Sequence, residues 1–424
     1  MPFQFWRIDN TNVEKRKKKD PKDMRSGYTT GACAAAGALA ALRCLRGEGC
    51  AAVEIEALDG TLLTIPVKDV HRTEDGSGAV AEVVKFSGDD PDITNGCSVF
   101  TTLERGAVGS GLVFRAGRGV GRVTKAGLQV PVGEPSINPG PRRLIARVLA
   151  RELGIAEDAA AMHGSATEAD ATAQESATDA KAAEEARWAR LFARLDFVVT
   201  IAIPAGVELA KQTLNPMLGV VGGISVIGST GVLRPMSEEG FKNSLVPQID
   251  VALAAGYRDL VFVPGKIGEN LAVKVGLPRA AFVQTSNFIG FLLDAAAERG
   301  ARSVLLYGHD GKLVKVAAGN FYTHNRISDA RLETLAAYAA AEGLCSDGVR
   351  AILAANTAED ALAVIDAAGL ARVYDVIAAR ASARSVRHVF GKLRVGTVLL
   401  AYDGRVLGMD DAAKEIGGRL GWSL

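Results

Sequence analysis

The sequence predicts a two-domain α+β protein: a mixed α+β domain over 25–155, then an α/β domain with a parallel sheet over 191–424. Three observations carry this. Residues 52–132 alternate short apolar segments with Gly- and Asp-bearing turns, the pattern of short strands and hairpins. From Asp196 onward, continuous apolar segments alternate with helical stretches, as buried parallel strands and their crossover helices do. Between the two, residues 156–186 hold thirteen Ala, eight acidic residues and one Lys, with no Val, Ile, Leu or Phe. Such a stretch cannot bury a face, so it reads as a solvated insertion or a loose helix; 156–190 is assigned as an acidic linker or insertion, and 1–24 as a flexible tail.

Thr29 or Thr30 caps a helix of small residues, Gly31 to Leu45, that stops before Gly47. Val53–Ala57 and Leu62–Val67 flank Asp59-Gly60, a hairpin signal. Val80–Phe86, Val99–Leu103, Gly111–Ala116 and Gly121–Thr124 are further strands, and Pro139-Gly140-Pro141 introduces a helix from Arg142 to Leu153. In the second domain the strands are Phe197–Ile203, Gly223–Ile227, Leu260–Val263, Ala281–Val283, Ser303–Tyr307 and Val395–Tyr402. Helices fill the intervals: Val207–Gln212, Ser237–Ala255, Gly268–Val275, Asn287–Arg299, a set through Glu342, and two over 346–367 and 370–384.

Composition excludes several classes. Forty-nine Lys and Arg against 48 Asp and Glu give a net charge of +1, which argues against a dedicated nucleic-acid binder. No apolar run reaches the length of a membrane span, and Met1–Asp9 carries no secretory apolar segment, so a cytoplasmic protein is expected. Five scattered cysteines form no CxxC pair, so neither a disulfide scaffold nor a thiolate zinc site is expected. Residues 14–25, EKRKKKDPKDMR, read first as a solvated tail and second as a polyanion contact.

Four constellations could carry chemistry. Glycines surround Ser229-Thr230 (Gly219, Gly222, Gly223, Gly228, Gly231), and a second cluster, Pro264 to Asn270, follows another apolar strand. Neither is a GxGxxG or P-loop motif, but glycine turns after parallel strands suit nucleotide-like ligands as well as plain tight turns. His309 follows the strand SVLLY, with His324 and Asp329 downstream, where a general base or a structural side chain would sit. Asp89, Asp90 and Asp92 lack calcium-loop spacing and read as a turn whose carboxylates bond backbone amides. Arg142 and Arg143 open a helix against its dipole, a placement that suits carboxylate recognition or simple exposure.

The chain resembles the CbiD family, the cobalt-precorrin-5B carbon-1 methyltransferases of anaerobic cobalamin biosynthesis. The resemblance rests on GYTTGACAAAGA (27–38), SGDDPDITNG (87–96), GRGVGRVTKAGLQVPVGEPSINPGPR (117–142), LAKQTLNPMLGVVGGISVIGSTGVLRPMSEE (209–239), QTSNFIGFLLDAAAERG (284–300) and YGHDGKLVKVAAGNFYTHNRISDAR (307–331). The loop PGKIGEN (264–270) departs from the family's PGNYG-like form. The resemblance implies an N-terminal α+β domain with a ribosomal-protein-like βαβ unit, followed by a Rossmann-like α/β domain. It implies S-adenosylmethionine as methyl donor and a tetrapyrrole substrate that carries its own cobalt, so no protein-bound metal is expected.

On that footing, Gly228, Ser229, Thr230, Gly231, Gly265, Gly268 and Asn287 are the candidates for the adenosyl group. Thr29, Thr30, Arg142, Arg143, Arg234 and Lys312 are candidates for substrate carboxylates. His309, His324 and Asp329 are candidates for moving protons. Neither nucleic acid nor membrane is expected as a partner, and a homo-oligomer or transient contact with neighbouring pathway enzymes is compatible with the resemblance. Two competing readings are a nucleotide-dependent phosphotransferase, which the missing P-loop disfavours, and a non-catalytic corrinoid-binding protein.

Overall fold

The computed structural model describes residues 24–156, 173–235 and 237–422. The assigned tail (apart from Met24) and 157–172 of the assigned linker fall outside the described residues. The fold is mixed α/β, with several sheets, and forms two compact units: one from 1–125 and 129–237, the other from 126–128 and 238–424. The division thus falls at Ser237/Glu238 rather than in the Ala-rich stretch.

The first unit begins with β1 (Gly27–Tyr28) and α1 (Thr30–Leu45). Every residue of α1 from Thr30 to Leu42 is buried, which small side chains permit because neighbouring backbones can approach closely. At Gly37 a Cβ would come within 2.7 Å of Thr101 Oγ1. The hairpin β2 (Ala52–Glu56) and β3 (Leu62–Pro66) forms as the Asp59-Gly60 signal predicts. Next come β4 (Asp69–Arg72), β5 (Gly78–Val84), β6 (Ser98–Arg105), β7 (Val113–Ala116), β8 (Gly119–Val120) and β9 (Arg122–Val123). Helix α2 (Pro139–Glu152) packs against α1, and α3 (Ala173–Ala193) against α2.

Strand β10 (Phe197–Ala202) overturns one expectation. It was assigned to the second domain's parallel sheet, yet it lies in the first unit's five-stranded sheet, order β4-β5-β6-β10-β7, antiparallel to β6 and parallel to β7. Its apolar run reflects a central position in a mixed sheet, which looks the same in sequence as a central parallel strand. Of the two readings of the Ala-rich stretch, the helix describes its C-terminal part, although that helix buries a face at its end. That part extends into α3, which docks through Trp188, Leu191 and the half-buried Phe192 onto the first unit's core. After α4 (Gly206–Leu209), the assigned strand 223–227 shrinks to β12 (Gly223–Ile224), which pairs with β8. Strand β11 (Val220–Val221) pairs with β9, and β13 (Val232–Leu233) with β1.

In the second unit, α5 (Glu238–Leu245) and α6 (Pro247–Ala254) replace one assigned helix, because Pro247 cannot continue α5's hydrogen bonding. The strands are β14 (Asp259–Val263), β15 (Phe282–Gln284), β16 (Ser303–His309), β17 (Arg394–Leu400) and β18 (Val406–Met409). They form one sheet, order β15-β14-β16-β17-β18, parallel except for β18. Between strands run α7 (Lys266–Lys274), α8 (Ile289–Glu298), α9 (Asp310–Ala317), α10 (Arg331–Ala341), α11 (Ser346–Leu353), α12 (Ala358–Ala367) and α13 (Val373–His388), and α14 (Asp411–Arg419) follows β18. One sheet face buries Val261, Leu305, Tyr307 and Val398 against α7 and α14. On the other, Thr397 bonds Ser382 of α13 at 2.8 Å.

Candidate functional site

The two glycine clusters lie in different units and different settings. In the first unit, segment 227–231 wraps the N-terminus of α1. Gly31 N–H donates to Ile227 O (3.0 Å), Thr29 N–H to Gly231 O (2.9 Å), and the Thr30 hydroxyl bonds both N–H and C=O of Ile227. Thr29 caps α1, its Oγ1 accepting from Ala32 N–H. A Cβ on Gly228 (φ 140°) would come within 2.2 Å of Thr29 Oγ1, and one on Gly140 within 2.2 Å of Gly228 O. Gly231 packs against Leu144. Gly228, Gly231, Thr29 and Thr30 are thus committed to joining α1, α2 and the loop, and both threonines are buried. Ser229 is exposed, and Thr230 Oγ1 accepts from Val232 N–H.

The arginines are engaged as well. Arg142 donates to Ile137 O and Glu134 and stacks on Phe114. Arg143 pairs with Glu184 at 2.7 Å over the Trp188 ring, so its partner comes from α3. Arg234 is 75% exposed, 3.5 Å from Asp59. The acidic trio behaves as a turn: Asp89 accepts from Arg25 N–H and Asp92 from Thr94 N–H and the buried Lys85 ammonium.

The second unit presents a different geometry. A sheet whose order reverses between adjacent parallel strands opens a crevice beyond their carboxyl ends, and here the reversal lies between β14 and β16. Their ends deliver Pro264-Gly265 and His309-Asp310, and β15 delivers Thr285-Ser286-Asn287 beside them. Gly265 is extended (φ −167°), with nothing within 4 Å of an added Cβ, so the chain is open there. Gly268 instead packs against Tyr307 O and Gly308. Ser286 holds a left-handed backbone (φ 51°), a strained conformation for a residue with a side chain. Thr285 and Thr323 hydroxyls are buried without partners, and the Asn287 side chain forms no hydrogen bond among the described residues.

Lys312 joins the loops at this edge. Its ammonium donates to Pro264 O (2.8 Å) and Ser286 O (3.2 Å), both carbonyls rather than carboxylates. Burial, with Lys315 close by, brings its pKa down to about 8. Lys315 itself is buried and holds the following loop through Thr323 O, Asn325 Oδ1 and Ser328 O.

His309 is fixed from three sides. Its Nδ1 accepts Gly311 N–H (3.1 Å), Nε2 faces Glu359 Oε1 (3.4 Å), and the Tyr402 ring lies 4.1 Å away centroid to centroid. Asp310 Oδ1 stands 3.2 Å from Nδ1 and has no hydrogen-bond partner among the described residues. Burial pushes the Asp310 carboxyl up to about 6, against the pull of His309. His324 caps its own turn, its Nδ1 accepting from Arg326 N–H. Asp329 is held below the usual carboxylate range, chiefly by its bidentate pairing with Arg331, which suits an ion pair more than a proton carrier.

Sequence reasoning missed Asp310, Glu359, Tyr402 and Thr285. Asp310 stood beside the noted His309, and Tyr402 ended an assigned strand; Glu359 lies fifty positions from His309 with no local signal. Among the described residues no cluster of His, Cys, Asp and Glu forms a metal site, and no helix is long and apolar enough to cross a membrane.

The family model described as CbiD matches residues 17–180 and 172–235, and the one described as CbiD, C-terminal domain, matches 322–411. A cobalt-precorrin-5B C(1)-methyltransferase from Moorella thermoacetica is 44% identical over 402 residues, covering 94% of this chain and 98% of the relative. A protein of the same name from Methanocaldococcus jannaschii is 40% identical, covering 91% and 96%. A crystal structure of the cobalamin biosynthesis protein cbiD from Archaeoglobus fulgidus aligns at 25% identity over 73% of this chain and 84% of that one, with a TM-score of 0.35, too low to carry a fold comparison.

Proposed function

The chain belongs to the CbiD family, and on that premise we propose that it methylates carbon 1 of cobalt-precorrin-5B, giving cobalt-precorrin-6A, with S-adenosylmethionine as donor. The observation that carries this is the 44% identity that runs through 98% of the Moorella relative. The cobalt is part of the substrate.

The carboxyl edge of the second unit's sheet is the proposed seat of the donor. Its parallel order supports a Rossmann-like reading, and three observations fit a ligand there: the open backbone at Gly265, and, among the described residues, the unbonded hydroxyls of Thr285 and Thr323 and the unbonded Asn287 amide. When bound, S-adenosylmethionine supplies an electrophilic methyl on a cationic sulfur. Gly265 and the Asn287 amide would hold the adenosyl group. Lys312 would fix the loops that carry them and offer its third N–H to a carboxylate. Two ammonium groups nearby disfavour the sulfonium itself, so the sulfur belongs away from Lys312 and Lys315.

Methyl transfer demands alignment more than acid–base work, so most of the rate is assigned to positioning. The His309–Asp310 pair, with Asp310 Oδ1 3.2 Å from Nδ1, is the proposed station for any proton the product must gain or lose. The packed setting of Gly228 and Gly231 supports a structural task for them, and the adenosyl role is proposed for Gly265 and Asn287 instead. Incubation with cobalt-precorrin-5B and S-adenosylmethionine tests the proposal: a product heavier by one CH2 is expected, and recovery of unchanged substrate would refute it.

A further inference from the structure

The first unit carries a cleft that the proposal above leaves without a task. It has a volume of about 400 Å³ and is lined by Tyr28, Phe86, the hairpin residues Leu62 and Leu63, Val232 and Arg234, among others. Its walls are mainly apolar, with Thr61 and Thr64 beside the leucines, and exposed: Leu62 is 64% and Phe86 39% accessible. Tyr28 adds an uncharged wall, because its hydroxyl bonds Val84 O and burial pushes its pKa up to about 12.

The rim is cationic. Arg234 is 75% exposed and only loosely paired with Asp59, and Arg25, 66% exposed, lies over the Phe86 ring and pairs with Asp89. Surface pairs of this kind contribute little and exchange partners readily. The shape is built, too. Gly27 presses on Phe86 O and Ser87, and Gly88 on Arg25 O, so the aromatic wall and the strand that carries Tyr28 are joined backbone to backbone.

An apolar slot with exposed aromatic walls and guanidinium groups on its rim complements a flat, apolar macrocycle edged with carboxylates. We propose that this cleft seats an edge of the cobalt corrinoid, with Arg25 and Arg234 taking peripheral carboxylates; this rests on the methyltransferase reading, since that reading supplies the ligand class. The volume admits an edge of the ring rather than the whole.

Two variants at exposed positions test it without threatening the fold: Leu62→Glu, which puts a carboxylate in the slot, and Arg234→Ala. The readouts are KM for cobalt-precorrin-5B and, in parallel, calorimetric binding of S-adenosylhomocysteine. KM should rise at least tenfold in Leu62→Glu and severalfold in Arg234→Ala, and the Arg234→Ala effect should shrink in high salt, with S-adenosylhomocysteine affinity unchanged. Unchanged KM in both variants overturns the cleft and leaves the methyltransferase reading standing. If wild type transfers no methyl group, that reading falls; the cleft then stands only if cobyrinic acid, a polycarboxylate corrinoid, binds wild type and is weakened in both variants, and falls if it is not.

Discussion

The loops at 227–231 and 264–268 look alike in sequence, each a glycine cluster beside an apolar segment, yet the fold uses them in opposite ways. At Gly228 the missing side chain lets the loop press on Thr29, and at Gly140 it lets α2 press on that loop; any Cβ there collides with atoms at 2.2 Å. At Gly265 nothing lies within 4 Å, and the backbone is extended, a conformation every residue adopts. The first set of glycines makes a core; in the second, Gly268 packs on Tyr307 and Gly308 while Gly265 leaves room at the end of a parallel sheet. Glycine counts therefore signal close approach without saying whether the approaching group is the protein or a ligand.

The largest expected effect breaks that contrast most cleanly. Gly228→Ala should lower unfolding free energy by about 3 kcal/mol or more, from the clash and the left-handed backbone. Gly265→Ala should change it by less than about 1 kcal/mol while weakening S-adenosylhomocysteine about tenfold. Denaturant midpoints and calorimetry would measure both; equal stability losses would erase the distinction. Lys312→Met comes next. The folded pKa of about 8 lies below the unfolded value near 10.4, so wild-type stability should rise between about pH 8 and pH 10, where the unfolded chain binds the extra proton. The rise should amount to about 2 kcal/mol and vanish in the variant, as followed by unfolding at stepped pH. Thr29→Ala should cost about 1 kcal/mol through the lost cap and leave KM values unchanged, placing this threonine in the scaffold. Smallest is Arg143→Ala: its partner Glu184 is half exposed, so stability should move by about 0.5 kcal/mol and KM should stay constant.

Legibility followed the range of the interactions. Helix α1 and its Thr29 cap, the Asp59-Gly60 hairpin and the position of His309 at a strand end were readable because each is set within a few residues. The partners of β10 were not, since its apolar run fits a central strand in either unit. The ring of groups around His309 was half readable: Asp310 is adjacent, but Glu359 and Tyr402 arrive from elements far along the chain. The arginines were recognisable as displaced charges, while their partners Glu134 and Glu184 were not.

The central claim is that the second unit's open glycine edge holds the methyl donor. Its most direct test is single-turnover transfer from S-adenosylmethionine bearing an isotopically labelled methyl group to cobalt-precorrin-5B, comparing wild type with Asn287→Ala and Gly265→Val and reading product mass. The account predicts labelled product from wild type and at least tenfold slower labelling in both folded variants at limiting donor. Labelling at the wild-type rate in both would contradict it.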